Sequence, residues 1–329
     1  MTDSIQLLGI SNAIVDVLAH VDSEFLASIG AEPGSMTLID QNRAHEIYNQ
    51  MGPAIEMSGG SVANTVAGFA NLGGTTAYIG KVRDDQLGQI FNHDMKSLGV
   101  DIRLAKAADG APTARSHVLI TRDGQRTMQT YLGACLELGL ADITDETVGA
   151  PKAILLEGYV WDIAEGPALA RKAIDIARRN GTAVALSLSD SFCVERHRDS
   201  FVEFVRDGVD IVVADEDEVR ALVECENFDD TLAALDGFDN LFAITRSAKG
   251  SVILHGNEKI IQPAAGLSPE QIVDTTGAGD AYSAGFLFGW ANDLPLSRCA
   301  QYGTYCATKV IQQLGARIEP GLLDGFESL

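Results

Sequence analysis

With 329 residues, 33 of them Gly and only 9 Pro, the chain can bury a large core and fits one α/β domain with a small accessory unit. Its 24 Lys+Arg against 46 Asp+Glu give a net charge of −22, which repels phosphate backbones and anionic lipid and excludes nucleic acid and membrane as partners. Five scattered cysteines (Cys135, Cys193, Cys225, Cys299, Cys306), never in a Cys-x-x-Cys pair, argue against a disulfide framework or zinc site and for a reducing, cytoplasmic compartment.

The opening Met-Thr-Asp-Ser has no basic flank leading into an apolar run, so no signal peptide is expected. Ile5–Ile10 reads as a core strand. The uncharged stretch Met57–Gly80 is long enough to span a bilayer, but its six glycines and two asparagines rule that out. Helices are expected instead over Ser61–Leu72 and Gln86–Leu98. His117–Thr121 and Arg126–Tyr131 flank Arg122-Asp123-Gly124-Gln125, whose Asp-Gly supplies a tight hairpin turn. Val15–Val21, Ser35–Asp40 and this hairpin do not fit a helix-covered sheet, and are read as a small β-lid made from two separate stretches of chain. From about residue 150, buried strands (Ala153–Leu156, Ala183–Ser187, Ile211–Val213, Phe242–Thr245) alternate with helices (Pro167–Arg179, Glu195–Arg206, Glu216–Glu224). That alternation predicts an α/β fold with a doubly wound, mostly parallel sheet. The expected division is a core of 1–12, 59–110 and 137–329, with a lid of 13–58 and 111–136.

Asp274-Thr275-Thr276-Gly277-Ala278-Gly279-Asp280, leading into the helical run Ala281–Trp290, is the most informative segment. Small residues at a helix mouth leave backbone N–H groups pointing outward, and with the helix dipole they make a site for phosphate. Asp280 falls in the first turn, placed to take a proton from an attacking hydroxyl. On spacing alone, a glycine turn with a capping Asp is an equal reading; the bracketing Asp274 and the small helix face Ser283-Ala284-Gly285 make the longer pattern rarer. A second segment, Ser58-Gly59-Gly60-Ser61-Val62-Ala63-Asn64, allows close backbone approach to a ligand and sets the Asn64 amide one turn into a helix. A tight turn with Ser61 as N-cap explains the same residues equally well. The third is Asn12–Asp16, where a carboxylate follows a core strand into the usual ligand crevice of an open sheet; on its own, a surface turn acid explains it better. Gly80-Lys81-Val82 lacks the spacing and the Ser/Thr of a P-loop, and none of the six histidines is placed in a site.

On these residues the chain resembles the PfkB/ribokinase family over nearly its whole length. Gly59–Gly88 resembles the family's first signature, and Asp274–Leu287 matches its second. Within the family the resemblance is to adenosine kinases, through Gly59–Asn64, the Asn12-Ala13-Ile14-Val15-Asp16 start and Leu186–Phe192. It implies ATP-dependent 5′-phosphorylation of adenosine, with Mg²⁺ and a monovalent cation such as K⁺ as cofactors, by a monomer or homodimer with a ribokinase-like fold. Asp16 and Asn64 would hold the ribose 2′- and 3′-hydroxyls, helped by Gly59 and Gly60. Asn12, Ile14, Leu38, Met128 and Phe192 would line the nucleoside pocket. Arg126 would reach the transferring phosphate, Gly277, Ala278 and Gly279 would form the anion hole, and Asp280 would be the general base. On the ATP side the resemblance implies Asp215, Glu218, Thr245 and Gly250 together with Gly277 and Gly279. Glu218 would act on magnesium indirectly, and Asp274 would sit at the monovalent cation. Two departures stand out: Asp215 replaces the family's Asn before Glu218, and Thr245-Arg246-Ser247 replaces its Thr-x-Gly. A sugar kinase or other nucleoside kinase on the same scaffold is the alternative enzyme. A nucleotide sensor without turnover is the alternative of another class.

Overall fold

The computed structural model describes residues 4–103 and 105–326. Its strands, in chain order, are β1 (Leu7–Ile10), β2 (Ile14–His20), β3 (Met36–Leu38), β4 (Ile55–Gly59), β5 (Thr76–Ile79), β6 (Lys81–Arg83), β7 (Asp101–Ile102) and β8 (Ala105–Ala107). There follow β9 (Ala114–Ile120), β10 (Arg126–Tyr131), β11 (Ala153–Glu157), β12 (Ala183–Ser187), β13 (Ile211–Asp215), β14 (Leu241–Thr245), β15 (Ser251–His255) and β16 (Glu258–Gln262).

One nine-stranded sheet runs in the order β16-β15-β14-β13-β12-β11-β1-β5-β7. From β7 to β14 every neighbour is parallel, and β15 and β16 add an antiparallel edge. The parallel strands are short apolar runs because both faces are covered. Leu8, Ile10, Ile154 and Leu156 pack with Leu169 and Ile174 of helix Gly166–Arg179 on one side. Leu7, Leu155 and Ala185 pack on the other with Val62 and Val66 of helix Ser61–Asn71 and Phe286 of helix Ala278–Ala291. This is the doubly wound sheet that the strand–helix alternation predicts.

A second sheet, in the order β3-β10-β9-β2-β4, is drawn from two separate chain segments. Its register pairs Ile14 with Gly59 and Ala114, Asp16 with Ser116, Ser116 with Thr130, and Thr130 with Leu38. Side chains alternate with period two along a strand, so Ile14, Asp16, Leu38, Arg126 and Met128 all share one face. The opposite face is closed by helices Ser23–Ser28 and Gln41–Gln50 through a small cluster of Leu26, Ile29, Ile47 and Leu119. Sequence periodicity misses both helices. The first is one and a half turns long, and Gln41–Gln50 buries only Ala44 and Ile47, too sparse a stripe to read. The expected tight hairpin turn is present over Thr121–Gln125: the Gly124 amide donates to the Thr121 carbonyl at 2.9 Å, Gly124 takes φ 81°, and the Thr121 amide donates to the Gln125 carbonyl at 3.0 Å.

Helix Leu296–Val310 packs antiparallel-like against Ala278–Ala291 and returns the chain to the carboxyl edge of the large sheet, where the Val273 and Asp274 amides donate to the Ile311 carbonyl at 2.8 and 3.2 Å. Among the described residues no helix is long and apolar enough to cross a membrane. All five cysteines are free thiols.

Candidate active site

Two helices open side by side at the carboxyl ends of the parallel strands. Helix Ser61–Asn71 starts after Gly60 at φ 96°, and helix Ala278–Ala291 after Gly277 at φ 72°, both in the region that favours glycine. The glycine pair is also required by proximity. A Cβ on Gly60 would stand 2.7 Å from the Asn12 carbonyl oxygen, and a methyl on Gly59 would overlap the Asp16 carboxylate. The N-cap is therefore Gly60, not Ser61. Ser61 is the first helical residue, and its hydroxyl donates across to Asp280 Oδ1 at 2.7 Å.

Asp280 is the third residue of its helix. Besides the Ser61 hydroxyl it accepts the Asn64 side-chain N–H on Oδ2 at 2.9 Å, while Thr65 donates to its backbone carbonyl at 3.3 Å. Burial pushes the Asp280 carboxyl above the ordinary carboxylate range, and the Ser61 and Asn64 hydrogen bonds and the Arg317 charge hold that rise in check. Each carboxylate oxygen keeps a lone pair for a further proton. Of the glycine loop, the Ala278 amide turns back to the Thr275 carbonyl at 3.2 Å. Among the described residues the Gly277, Gly279 and Asp280 amides have no acceptor, so Ala278 is the member of the loop that does not point outward.

Asp16, on the lid sheet, faces the same space. Its carboxyl is pushed up to about 6 by burial, against the pull of Arg317 and Arg126. The Asn12 side-chain oxygen is buried with no hydrogen-bond partner. Glu157, at the end of β11, accepts the Asn12 amide at 2.9 Å and the Val62 amide at 3.3 Å, and burial lifts it to about 7. It ties the Asn12 turn to the start of the glycine-led helix. Arg126, on β10, pairs with Asp274. The Asp274 carboxylate also accepts the Thr276 amide at 3.0 Å and the Gly315 amide at 2.8 Å. A monovalent cation on this side chain would take the place that the Arg126 guanidinium holds here.

On the other side of Asp280, Asp215 caps helix Glu216–Val223, accepting the Asp217 and Glu218 amides at 2.9 and 2.8 Å. Glu218 returns a bond to the Asp215 amide at 3.0 Å and is pushed up to about 8, first by burial and then by the charges of Asp215, Asp190 and Asp280. Among the described residues no three His, Cys, Asp or Glu side chains come together as a metal-ligand group, so a divalent ion here would be carried mainly by the nucleotide's own phosphates. Thr245 ends β14, and Gly250 closes the turn into β15, where its carbonyl accepts the Arg246 amide at 2.7 Å. Ser247 takes φ 48° where the family pattern has Gly. Arg246 braces this departure, donating to Glu216 at 2.9 Å and lying 3.6 Å over the Phe228 ring.

Hydrogen bonds and charge link Asn64, Asp16 and Glu218 to Asp280, and Arg126 to Asp274. Phe192, in the first turn of helix Ser191–Asp207, is 70% exposed and packs on no other aromatic ring. Two concavities of 610 and 560 Å³ lie on the lid beside Phe25, Arg122 and Tyr48, and neither reaches Asp280. The wet rim of the lid explains them better than a ligand does. Sequence reading missed Ser61 as a partner of Asp280, Glu157 and Arg317. Glu157 follows a buried strand in the same way as Asp16, so the same rule would have found it. Arg317 is the one charge in the apolar run Leu314–Ile318, a weak signal by itself.

Proton removal from a hydroxyl, next to amides and a helix dipole that stabilise phosphate charge, is kinase chemistry; the chain is a phosphotransferase with an alcohol acceptor. Comparison with known proteins gives the family. The pfkB family carbohydrate kinase profile matches residues 34–321, and the chain belongs to that family. It is similar to the crystal structure of adenosine kinase from Sinorhizobium meliloti, at 46% identity and a TM-score of 0.91, covering 99% of both chains. It is also similar to a probable sugar kinase from Rhizobium etli CFN 42, at 40% identity and a TM-score of 0.91, covering 99% of this chain and 98% of that one. A 5-dehydro-2-deoxygluconokinase from Geobacillus kaustophilus is 29% identical over 83% of this chain and 85% of its own length.

Proposed function

We propose that the protein transfers the γ-phosphoryl group of ATP to the 5′-hydroxyl of adenosine. The observation that carries the acceptor is the orphaned, buried Asn12 side-chain oxygen, with the half-buried Asp16 carboxylate across the Gly59-Gly60 turn from it. Buried acceptors without donors are costly unless a ligand supplies them, and adjacent ribose hydroxyls are two such donors. The Asn64 side-chain oxygen, left open while its N–H binds Asp280, adds a third. Ile14, Leu38 and Met128, on the same lid face, supply apolar contact for a base.

In this reading Asp280 takes the proton of the 5′-hydroxyl as that oxygen forms a bond to the γ-phosphorus. The bond from the γ-phosphorus to the β–γ bridging oxygen breaks, and ADP leaves with the electron pair. The Gly277 and Gly279 amides and the dipole of helix Ala278–Ala291 hold the charge on the moving phosphoryl oxygens. Arg126 moves from Asp274 to the same charge. Glu218 and Asp215 would help hold Mg²⁺, which would offset the charge of the phosphates.

The second reading is a sugar kinase, favoured by the names of the Rhizobium etli and Geobacillus kaustophilus relatives. A panel of nucleosides and sugars with Mg-ATP, scored for ADP release, separates the two. Adenosine is expected to lead ribose, fructose and 5-dehydro-2-deoxygluconate in kcat/KM. A sugar ahead of adenosine by about tenfold, equivalent to about 1.4 kcal/mol, overturns the substrate assignment.

A further inference from the structure

Arg317 lies in the stretch after helix Leu296–Val310, far in sequence from every segment that the motifs single out. Its guanidinium reaches into the site and grips the glycine-rich turn. Nη1 donates to the Ala63 carbonyl at 3.1 Å, and Nη2 donates to the Ser58 carbonyl and to Ser58 Oγ at 2.9 Å. The Ser58 amide is held from the other side by Asp94 at 2.8 Å. Ser58, the residue directly before Gly59-Gly60, is therefore clamped from two elements. The neighbours of Arg317 place Ala316 against Gly277, where a methyl would collide, and the Gly315 amide on Asp274. One short stretch thus touches both glycine loops.

We propose that Arg317 is a positioning residue for phosphoryl transfer, holding the Ser58–Ala63 turn in register with the Gly277 loop. The charged and titratable groups around it are Asp16 from the lid, Asp280 from helix Ala278–Ala291, Asp94 from helix Gln86–Ser97 and Tyr78 from β5. Asp16 also faces Arg126, and Glu157 and Glu218 both feel Asp280. Burial disfavours the Arg317 charge, and the three carboxylates oppose that without cancelling it. The interaction is mutual, since Arg317 pulls both Asp16 and Asp280 down from where burial alone would put them. A guanidinium suits the task because its planar fork spans two carbonyls and it stays charged when buried.

The proposal rests on Asp280 as the base, so the test separates the two ideas. The pH dependence of kcat/KM for adenosine is measured for the parent, Arg317→Met, Arg317→Lys and Asp280→Asn, with thermal unfolding of each. Without the nearby cation the carboxylates hold their protons to higher pH. Arg317→Met is therefore expected to move the acid limb up by about one pH unit and lose about tenfold more activity at pH 6 than at pH 8.5. Arg317→Lys keeps the charge but not the fork: its acid limb stays in place while the adenosine KM rises several-fold. A folded Arg317→Met with an unmoved acid limb overturns the proposal, even if Asp280→Asn is inactive and the base assignment stands. Should Arg317→Met fail to fold, Arg317→Lys decides, and an unchanged KM overturns the proposal. An active Asp280→Asn removes the base assignment and the charge role of Arg317 together.

Discussion

The two walls of the site are built on different terms. On the core wall the carboxylates already have partners: Asp280 is held by Ser61 and Asn64, and Glu157 by two amides. On the lid wall Leu38 is 54% exposed, and Ile55 on the edge strand β4 is 69% exposed. The core thus arrives at the reaction already organised, and little needs to move to stabilise developing charge. The lid offers a face of mixed side chains on short edge strands, where substitution costs little stability. In the proposed reading the base and the phosphate-binding amides belong to the first wall, and Asp16 with the apolar contacts for the acceptor to the second. Related chains named for adenosine and for sugars can accordingly share one core.

The largest break in this comparison is expected on the core wall. Asp280→Asn is isosteric, keeps an acceptor for Ser61, and leaves the helix start intact, but the amide cannot take a proton. Loss of a general base costs roughly 10²–10⁴ in kcat, about 3–5 kcal/mol of barrier. Adenosine binding, measured by calorimetry, should stay within a few-fold of the parent. A kcat within tenfold of the parent would show that Asp280 only ties its helix to Ser61 and Asn64.

On the lid wall the expected loss is smaller and falls on binding. Burial raises the Asp16 carboxyl to about 6, so its charged, hydroxyl-accepting form develops as pH rises through that value. The adenosine KM of the parent should fall between pH 5 and 7. Asp16→Asn should flatten that dependence and raise KM by roughly 10–100-fold, about 1–3 kcal/mol for an impaired buried hydrogen bond. Stability at neutral pH should rise slightly, because a carboxyl with a raised folded pKa disfavours folding once it is ionised. A KM for 2′,3′-dideoxyadenosine equal to that of adenosine would disprove a ribose contact at Asp16.

Much of the core wall was legible in the sequence because local rules govern it. Short apolar runs gave the parallel strands, and Gly277 and Gly60 marked helix mouths that only a left-handed residue fits. The lid was legible only as a shape. Its hairpin announced itself through Asp123-Gly124, but its two outer helices bury too few residues to show a period. What the sequence hid altogether were contacts across long separations. Ser61 reaches Asp280 over 219 positions and Arg317 reaches Ser58 over 259, and no local spacing encodes either meeting. The Arg126–Asp274 pair was hidden for the same reason, since Arg126 comes from 148 positions away to meet that carboxylate.

The smallest effect is expected at Asp215, where the core wall departs from the family pattern. Asn caps a helix as well as Asp does, so Asp215→Asn should leave helix Glu216–Val223 and the melting temperature nearly unchanged. The electrostatics change more subtly. Burial is the larger reason that Glu218 is lifted to about 8, and the Asp215 charge is the next. Removing that charge lowers Glu218 toward its ordinary range, so one carboxylate disappears while its neighbour ionises more readily at neutral pH. The net charge offered to a nucleotide-bound cation then falls by less than one unit, and the Mg²⁺ midpoint should shift by only a few-fold. Because Glu218 now ionises at lower pH, the midpoint should also lose part of its dependence on pH between 7 and 8.5. Adenosine KM should not move, since neither residue faces the lid. A magnesium titration identical in parent and variant across that range would reduce Asp215 to a helix cap and leave Glu218 alone on the metal side.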